Sequence, residues 1–549
     1  MPITSPYPSI NIPDIDLWQL LFTRDNKGFS DQKELFIDDA TKRSYNYAQI
    51  KPATIAFGRE LKSRYSWQKG DVLTICSLNN IDVAPIMWGC HWAGGVVNPV
   101  SPAMTERELI AQLKDAGPKA IVIHTACLGV AGKAAKAVGI PAENIILIGD
   151  DKSSGQGYSY FPEILKKRGK ETIKKTIVDA KKDLAFLVYS SGTSGKPKGV
   201  MLTHRNFVSN ILQSDLTIRK GYRDIETEKI LGFLPFYHIY GLHALLNSPL
   251  YQGVPVVVMQ SFNLKRFCQA IQEHRITKSF IVPPVALLLT KAPIVKNYDF
   301  SSMRLFSSAA APLAKELAST INEMFGVPLT QAYGITEASP AVMMQDVSLA
   351  FSTRGSVGNL LPNMSAKVVS LDGETELKPG EIGELWIKGP NVFSGYYKNP
   401  SATQAALVPG GYYRTGDIGY FDEGNNFYIT DRIKELIKYK GSQVAPAELE
   451  DLLLSHPKVA DCAVIGVYDE SQATEIPRGY IVLTSGVTES YELKGEILEW
   501  VKERVAPYKR LRGGIVWIKA IPKSPTGKIL RRILRDEAEK ERKPLKAKI

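Results

Sequence analysis

The stretch Tyr189-Ser-Ser-Gly-Thr-Ser-Gly-Lys-Pro-Lys-Gly-Val-Met-Leu-Thr-His204 constrains this chain more than any other. The apolar run Leu184–Tyr189 leads into it and reads as a buried strand. Gly192, Gly195 and Gly199 then alternate with the hydroxyls of Ser190, Ser191, Thr193 and Ser194, and Lys196 and Lys198 flank Pro197. Glycine lets a backbone come close to a ligand and take positive φ. Hydroxyls, freed N–H groups and lysine can all donate to phosphate oxygens. The segment therefore reads as a clasp for a polyphosphate. It is not a Walker A loop, because only two residues separate Gly192 from Gly195, and Pro197 follows Lys196 where a hydroxyl ligand should stand. A plain flexible turn would not concentrate hydroxyls and lysines so densely.

At 549 residues the chain is long for one core. Its early part alternates strand and helix patterns. Val72–Ile75 and Ala120–Ile123 read as strands, and Thr105-Glu-Arg-Glu108 is a capping box opening a helix that Gly117-Pro118 stops. After the clasp, Thr203 is a candidate N-cap, and Phe207, Val208, Ile211 and Leu212 share a helix face. Strands are expected near Val256–Met259 and Ser279–Val282. From Gly355 to Tyr420 short strands punctuated by glycine, among them Ala366–Val369 and Glu384–Ile387, suggest a β-rich subdomain. A boundary is expected at Asp431-Arg-Ile-Lys434, followed by a compact α/β unit with strands Val459–Val467, Gly479–Leu483 and Ile515–Lys519 and helices Ala447–Leu454 and Leu493–Arg504. The fold class is α/β: a large N-terminal body of layered α/β subdomains plus a β-rich subdomain, residues 1–431, and a small mobile C-terminal α/β lid, residues 432–549.

Residues 501–549 carry 16 Lys and Arg against 5 Asp and Glu, nearly all of the net charge of +12. Without a recognisable nucleic-acid module, this basic end suits a phosphorylated small ligand better than nucleic acid. No apolar run has the roughly 20 residues needed to cross a bilayer, and no secretory signal is visible at the N-terminus. The five scattered cysteines read as reduced thiols of an intracellular protein. The terminal Ala547-Lys548-Ile549 is a weak variant of a peroxisomal address, so cytoplasm and peroxisome both stand, the latter through an import receptor.

Four further stretches carry chemistry. His238 sits between aromatics in Leu234-Pro-Phe-Tyr-His-Ile-Tyr-Gly241. In Gln331-Ala-Tyr-Gly-Ile-Thr-Glu337, Tyr333 can stack on a purine, Thr336 can bond a phosphate, and Glu337 is a hard oxygen ligand suited to magnesium. Asp417, ending Tyr413-Arg-Thr-Gly-Asp417, can accept from a ribose diol. Lys528 sits on the Pro- and Gly-bounded loop Pro522-Lys-Ser-Pro-Thr-Gly-Lys528.

Together with the clasp these motifs, in this order, resemble the adenylate-forming superfamily: acyl- and aryl-CoA ligases, beetle luciferases and peptide-synthetase adenylation domains. The likeness spans nearly the whole chain and is nearest to 4-coumarate–CoA-ligase-like members. It implies an ATP-dependent acid–CoA ligase that forms an acyl-adenylate, using ATP, Mg2+ and coenzyme A. It implies ATP and AMP contacts from Ser190 through Lys198, from Gln331, Ala332, Tyr333, Gly334 and Thr336, and from Asp417, Arg432 and Lys438. His238 would lie by the acyl carboxylate, with Tyr240, Ala244, Ala309, Ala310, Met344 and Gln443 around the acyl group. Lys528 would steady the α-phosphate, Lys434 would be the hinge, and Lys440 and Gly441 would meet CoA. Departures at Ser194, Ala332, Ala309, Ala244 and Ser261 bear on the choice of acid more than on the chemistry. The acid is expected to be aryl, 4-coumarate-like. The alternatives are a medium-chain fatty acid, an enzyme that loads a carrier-protein thiol, and a non-catalytic adenylate binder. Retention of Lys528, Glu337 and the loop lysines speaks against the last.

Overall fold

The computed structural model describes residues 2–149, 157–167, 172–190, 197–221, 226–440, 442–470, 472, 474–524 and 527–542. Two large sheets form the body. The first has eight strands in the order Gly395–Tyr396, Lys198–Thr203, Leu184–Ser190, Val96–Val100, Val72–Cys76, Ala120–His124, Ile145–Ile148 and Ser159–Tyr160. The second has nine, with Ile230–Gly232, Lys278–Ile281, Leu305–Ser308 and Leu329–Gly334 side by side and parallel. The near-continuous apolar character of Val72–Cys76 and Ala120–His124 follows from burial on both faces, as parallel strands require.

The capping box at Thr105 is present on both arms, and the helix Glu106–Ala116 ends on Gly117 at φ 61°. The Thr203 hydroxyl accepts the Asn206 N–H, as expected of an N-cap, and helix His204–Gly221 buries Phe207, Val208 and Ile211. A difference appears directly after the clasp. Lys198–Thr203 is a strand antiparallel to Leu184–Ser190, with Lys198 opposite Ser190. The strands on either side of the phosphate segment thus pair with each other, and the density of Gly, Pro and Lys hides the second of them. Ser191, Gly192, Thr193, Ser194, Gly195 and Lys196 lie outside the described residues, as do Gly441 and the terminal tripeptide.

The β-rich subdomain is a six-stranded sheet that takes in the N-terminal strand Ile3–Thr4, paired to Ser365–Ala366. Its long strand Tyr412–Phe421 pairs with Phe427–Arg432, which sets Asp417 opposite Arg432. Beyond Arg432 the hydrophobic contacts change partners. A separate core links Ile437, Val444, Leu449, Val464, Ile481 and Ile497. It is built on Val459–Asp469, Thr474–Leu483 and Ile515–Trp517, with helices Pro446–Leu454, Tyr491–Arg504 and Arg531–Arg542. Thr474–Leu483 starts five residues before its expected onset at Gly479 because it matches the eleven-residue strand Val459–Asp469 as one long hairpin. Among the described residues no helix is long and apolar enough to cross a membrane.

Candidate active site

Ligands of parallel α/β sheets bind beyond the carboxyl ends of the strands. The parallel strands of the nine-stranded sheet deliver the expected residues there. Ile230–Gly232 runs on to His238, Leu305–Ser308 to Ala309 and Ala310, and Leu329–Gly334 to Thr336 and Glu337. Gly334 is required, since a Cβ would meet the Pro340 carbonyl oxygen at 2.6 Å as the chain doubles back.

Glu337 joins the two sheets. Its Oε1 accepts the Ser190 hydroxyl at 3.2 Å and the Tyr396 hydroxyl at 3.0 Å, and Tyr396 lies 3.3 Å from the Tyr413 hydroxyl. Burial raises the Glu337 carboxyl above its ordinary range, opposed by the Tyr396 hydrogen bond and the Arg432 charge. Lys198 sits 4.9 Å above the Tyr396 ring. Tyr396 and Tyr413 escape sequence reasoning because nothing in their spacing marks them. Tyr396 belongs here because strand Gly395–Tyr396 pairs onto Lys198–Thr203, and Tyr413 because its hydroxyl meets that of Tyr396.

The second group centres on Asp417. Its Oδ2 accepts the buried Tyr333 hydroxyl at 2.6 Å, and its Oδ1 lies 2.8 Å from Arg432 Nε. Asp417 follows Gly416 at φ 70°, within a strand rather than after a free turn. The Asp417 charge raises the Arg432 pKa despite burial, and burial with Asp417 lifts the Tyr333 phenol well above its ordinary value. Each carboxylate oxygen keeps a lone pair for a further donor.

Lys528 reaches this group from the other side. Its loop docks where Gly527, at φ 79°, leaves room that a Cβ would contest with Pro284 at 2.6 Å. Burial and the Arg432 charge lower the Lys528 pKa to about 8, while Asp417 and Glu435 oppose the shift. His238 feels the Lys528 charge. Burial and that charge bring its pKa to about 4, so the ring is neutral at pH 7. His238 Nδ1 accepts the Tyr240 N–H at 3.3 Å, which assigns the proton to Nε2 and makes it a donor.

Around His238, Tyr240 donates its hydroxyl to the Ser307 carbonyl at 3.2 Å and packs edge-on to Phe280. Ala244 is buried in the π-helical segment Leu242–Asn247, and Ala309 is buried too. The backbone is unusual one residue after the departure at Ala309. Ala310, not Ala309, takes φ 76°, a left-handed conformation that costs an L-residue about 1–2 kcal/mol. Gln331, Ala332 and Met344 lie on strands paired edge to edge, with Ala332 opposite Met344. Lys438 and Gln443 oppose each other on the hairpin Ile437–Val444. Both are exposed, and the backbone bonds of Lys438 and Lys440 go to Glu475 and Thr474 of the small unit. The structure therefore gathers Ser190, His238, Glu337, Asp417, Arg432 and Lys528, and leaves Lys438, Lys440 and Gln443 outside that group.

Lys434 is exposed in the turn that follows Arg432. Beside it lies a knot of acids. Asp431 accepts the Ala447 N–H at 3.0 Å, Glu450 accepts the Val464 N–H at 2.7 Å, and Arg531 lies 2.6 Å from Glu450. Burial, then Glu450 and the body's Glu316, raise the pKa of Asp451 to about 7.

This arrangement has counterparts. A model described as AMP-binding enzyme matches residues 22–397. The chain belongs to the AMP-binding enzyme family. A second model, for the C-terminal domain of AMP-binding enzymes, matches residues 448–528. The chain is similar to the probable 4-coumarate–CoA ligase 1 of Dictyostelium discoideum, 40% identical over 97% of both chains. It is similar to ATP-bound MatB from Rhodopseudomonas palustris, with 26% identity and TM-score 0.84 over 97% of this chain and 100% of that one. It is also similar to o-succinylbenzoate CoA synthetase from Bacillus subtilis in complex with its acyl-adenylate intermediate, with 27% identity and TM-score 0.78 over 95% of this chain and 99% of that one. This AMP-binding enzyme is a ligase of the acyl- and aryl-CoA kind, which works through an acyl-adenylate.

Proposed function

We propose that the enzyme joins an aryl carboxylic acid to coenzyme A in two steps at one site, divided between a body of residues 1–431 and a lid of residues 432–549. The observation that carries this is a buried lysine on a lid loop, Lys528, whose loop seats against Pro284 of the body and which feels the charges of Arg432 and Asp417 while His238 feels its own. ATP lies with its phosphates along the clasp and its ribose diol on Asp417 and Arg432. Its adenine lies against Tyr333, flanked by Gln331, Ala332 and Gly334. Thr336 bonds the α-phosphate. Glu337 fits a magnesium ion: it is one buried carboxylate beside the clasp, leaving the ion's other positions to phosphate oxygens and water. Such an ion supplies charge neutralisation to the triphosphate.

In the first step a carboxylate oxygen of the acid attacks the α-phosphorus and pyrophosphate leaves. Lys528 stabilises charge growing on the α-phosphate, and His238 donates from Nε2 toward the acyl oxygen. The lid then turns about Lys434, withdrawing Lys528 and presenting Lys438, Gln443 and the Lys440-Gly441 pair. The CoA thiol attacks the acyl carbonyl and AMP leaves.

Lys528 must be protonated for this role. Adenylation kcat/KM for ATP is expected to fall as pH rises through about 8, the value the free site sets. Lys528→Arg should move that limb to higher pH, and an unmoved limb would assign it elsewhere.

The acid itself is tested by pyrophosphate release across a panel, with and without CoA. Release with 4-coumarate or phenylacetate and a CoA-dependent thioester establishes the aryl reading. Turnover confined to medium-chain fatty acids supports the second reading, which the pocket chemistry favours at one point: the Tyr240 hydroxyl is spent on Ser307, and Ala244 offers only a methyl. That result would also favour the peroxisomal reading of Ala547-Lys548-Ile549. Adenylation with no thioester would indicate a carrier-protein acceptor.

A further inference from the structure

A cavity of about 700 Å³ lies between the body and the lid, walled by Pro235 and Tyr237 ahead of His238, by Ser261, and by Lys523, Ser524 and Gly527 of the lid loop. Two thiols line it as well, Cys76 and Cys127. Cys76 ends the strand Val72–Cys76 opposite Ile123 of the neighbouring parallel strand. The chain turns after His124 through Thr125–Cys127 and brings the second thiol to the same cavity wall as the first.

Their surroundings differ. Cys76 is buried, whereas Cys127 is half-exposed. Cys127 also stands at the N-cap of the ten-residue helix Leu128–Ala137. Hydrogen bonds donated to sulfur and a helix N-terminus both favour thiolate. Accordingly Cys127 is lowered from the ordinary thiol value, chiefly by the Cys76 hydrogen bond, and Cys76 is raised. The other three cysteines have no such setting. Burial raises Cys90 and Cys462 well above the ordinary value and Cys268 to about 11. An accessible, acidified thiol beside a second thiol is the setting in which oxidation is selective and reversible.

We propose that Cys76 and Cys127 are a redox modification site that closes to a disulfide in the wall of this cavity when a hydroperoxide enters it. The Cys127 thiolate attacks a peroxide oxygen, the O–O bond breaks, and the departing hydroxide takes a proton to leave as water. Cys127 is then a sulfenic acid. The Cys76 sulfur, losing its proton, attacks Cys127 Sγ; the S–O bond breaks and a second water leaves. Two thiols are oxidised by two electrons and one peroxide is reduced to two waters.

Closure reaches the reacting centre through Leu78 and Asn79, which share the cavity wall with both thiols. Asn79, next in the chain, holds the Leu234 carbonyl at 3.0 Å and the Phe236 N–H at 2.9 Å, and so fixes the segment that ends in His238. The effect on activity rests on the ligase reading; the disulfide does not.

The test treats the full-length protein with hydrogen peroxide, alkylates free thiols under denaturing conditions and maps peptides by mass. The expected result is a linked Cys76–Cys127 peptide pair, reversed by dithiothreitol, with Cys90, Cys268 and Cys462 still alkylated. Acid-dependent pyrophosphate release falls several-fold in parallel and recovers on reduction. Cys76→Ser and Cys127→Ser keep their activity in peroxide. Free, alkylatable Cys76 and Cys127 after treatment overturn the site. A linked pair with unchanged activity, or equal inactivation of the serine variants, overturns the regulatory consequence. A linked pair in a protein that turns over no acid leaves the site standing and the ligase reading refuted.

Discussion

Lys528→Ala is expected to lower acid-dependent pyrophosphate release by about 10³-fold, the upper range for losing one charge-stabilising donor. Transfer of a supplied acyl-adenylate to CoA should stay within a few-fold of the parent. The asymmetry follows from where the side chain sits. Lys528 shares a partly desolvated site with Asp417 and Arg432, and the Arg432 charge helps to hold its pKa near 8. A triphosphate entering there adds negative charge beside that ammonium, so its interaction grows where negative charge grows. Nothing in thioester formation calls for a cation at that point, because the attacked atom is an acyl carbon. Parallel assays of the two half-reactions decide it, and equal loss of both would remove Lys528 from the first step.

Glu337→Gln is expected to cut pyrophosphate release by about 10²–10³-fold, as for a charge stabiliser lost from a desolvated site, without lowering Tm. The replacement keeps shape, and the Ser190 and Tyr396 hydroxyls can donate to an amide oxygen as they do to Oε1. What is lost is a negative charge that burial already disfavours. A carboxyl whose folded pKa is raised contributes stability at low pH and loses it as pH rises through that pKa. The parent should therefore lose Tm between mildly acidic and neutral pH by a component absent from the glutamine variant. The magnesium concentration for half-maximal release should rise in the variant. A variant with a lowered Tm at neutral pH would mean the carboxylate is structural.

Much of this was legible because the functional residues lie on short segments with strong local grammar. The capping box at Thr105 and the left-handed Gly117 could be read as written, since both are satisfied within one turn of helix. His238, Glu337, Asp417 and Lys528 were legible as candidate chemistry, but their meeting was not, because it depends on pairing across long separations. Tyr396 reaches Glu337 only after Gly395–Tyr396 pairs with Val200 and Met201, nearly two hundred residues earlier. The strand Lys198–Thr203 was obscured by residues chosen for a ligand rather than for a sheet. The bond from Tyr333 to Asp417 gives that phenol a second duty beside an aromatic face, which spacing could not reveal. The left-handed backbone at Ala310 is likewise a backbone fact, set by how the chain leaves strand Leu305–Ser308.

Under the lid motion proposed above, the acids beside Lys434 bear on how the lid divides its time. Asp431, Glu450 and Asp451 lie close together with the guanidinium of Arg531, and the body's Glu316 adds its charge when the lid is seated. Like charges gathered on seating raise the free energy of the seated pose and draw it toward that of the released one. Two poses of similar free energy answer to small preferences. A difference of about 5.5 kcal/mol in ligand binding is enough to carry such a pair from 1:99 to 99:1. Triphosphate in the site and thiol at its door can then each hold the lid in a different place, and the order of events becomes a matter of populations rather than of force.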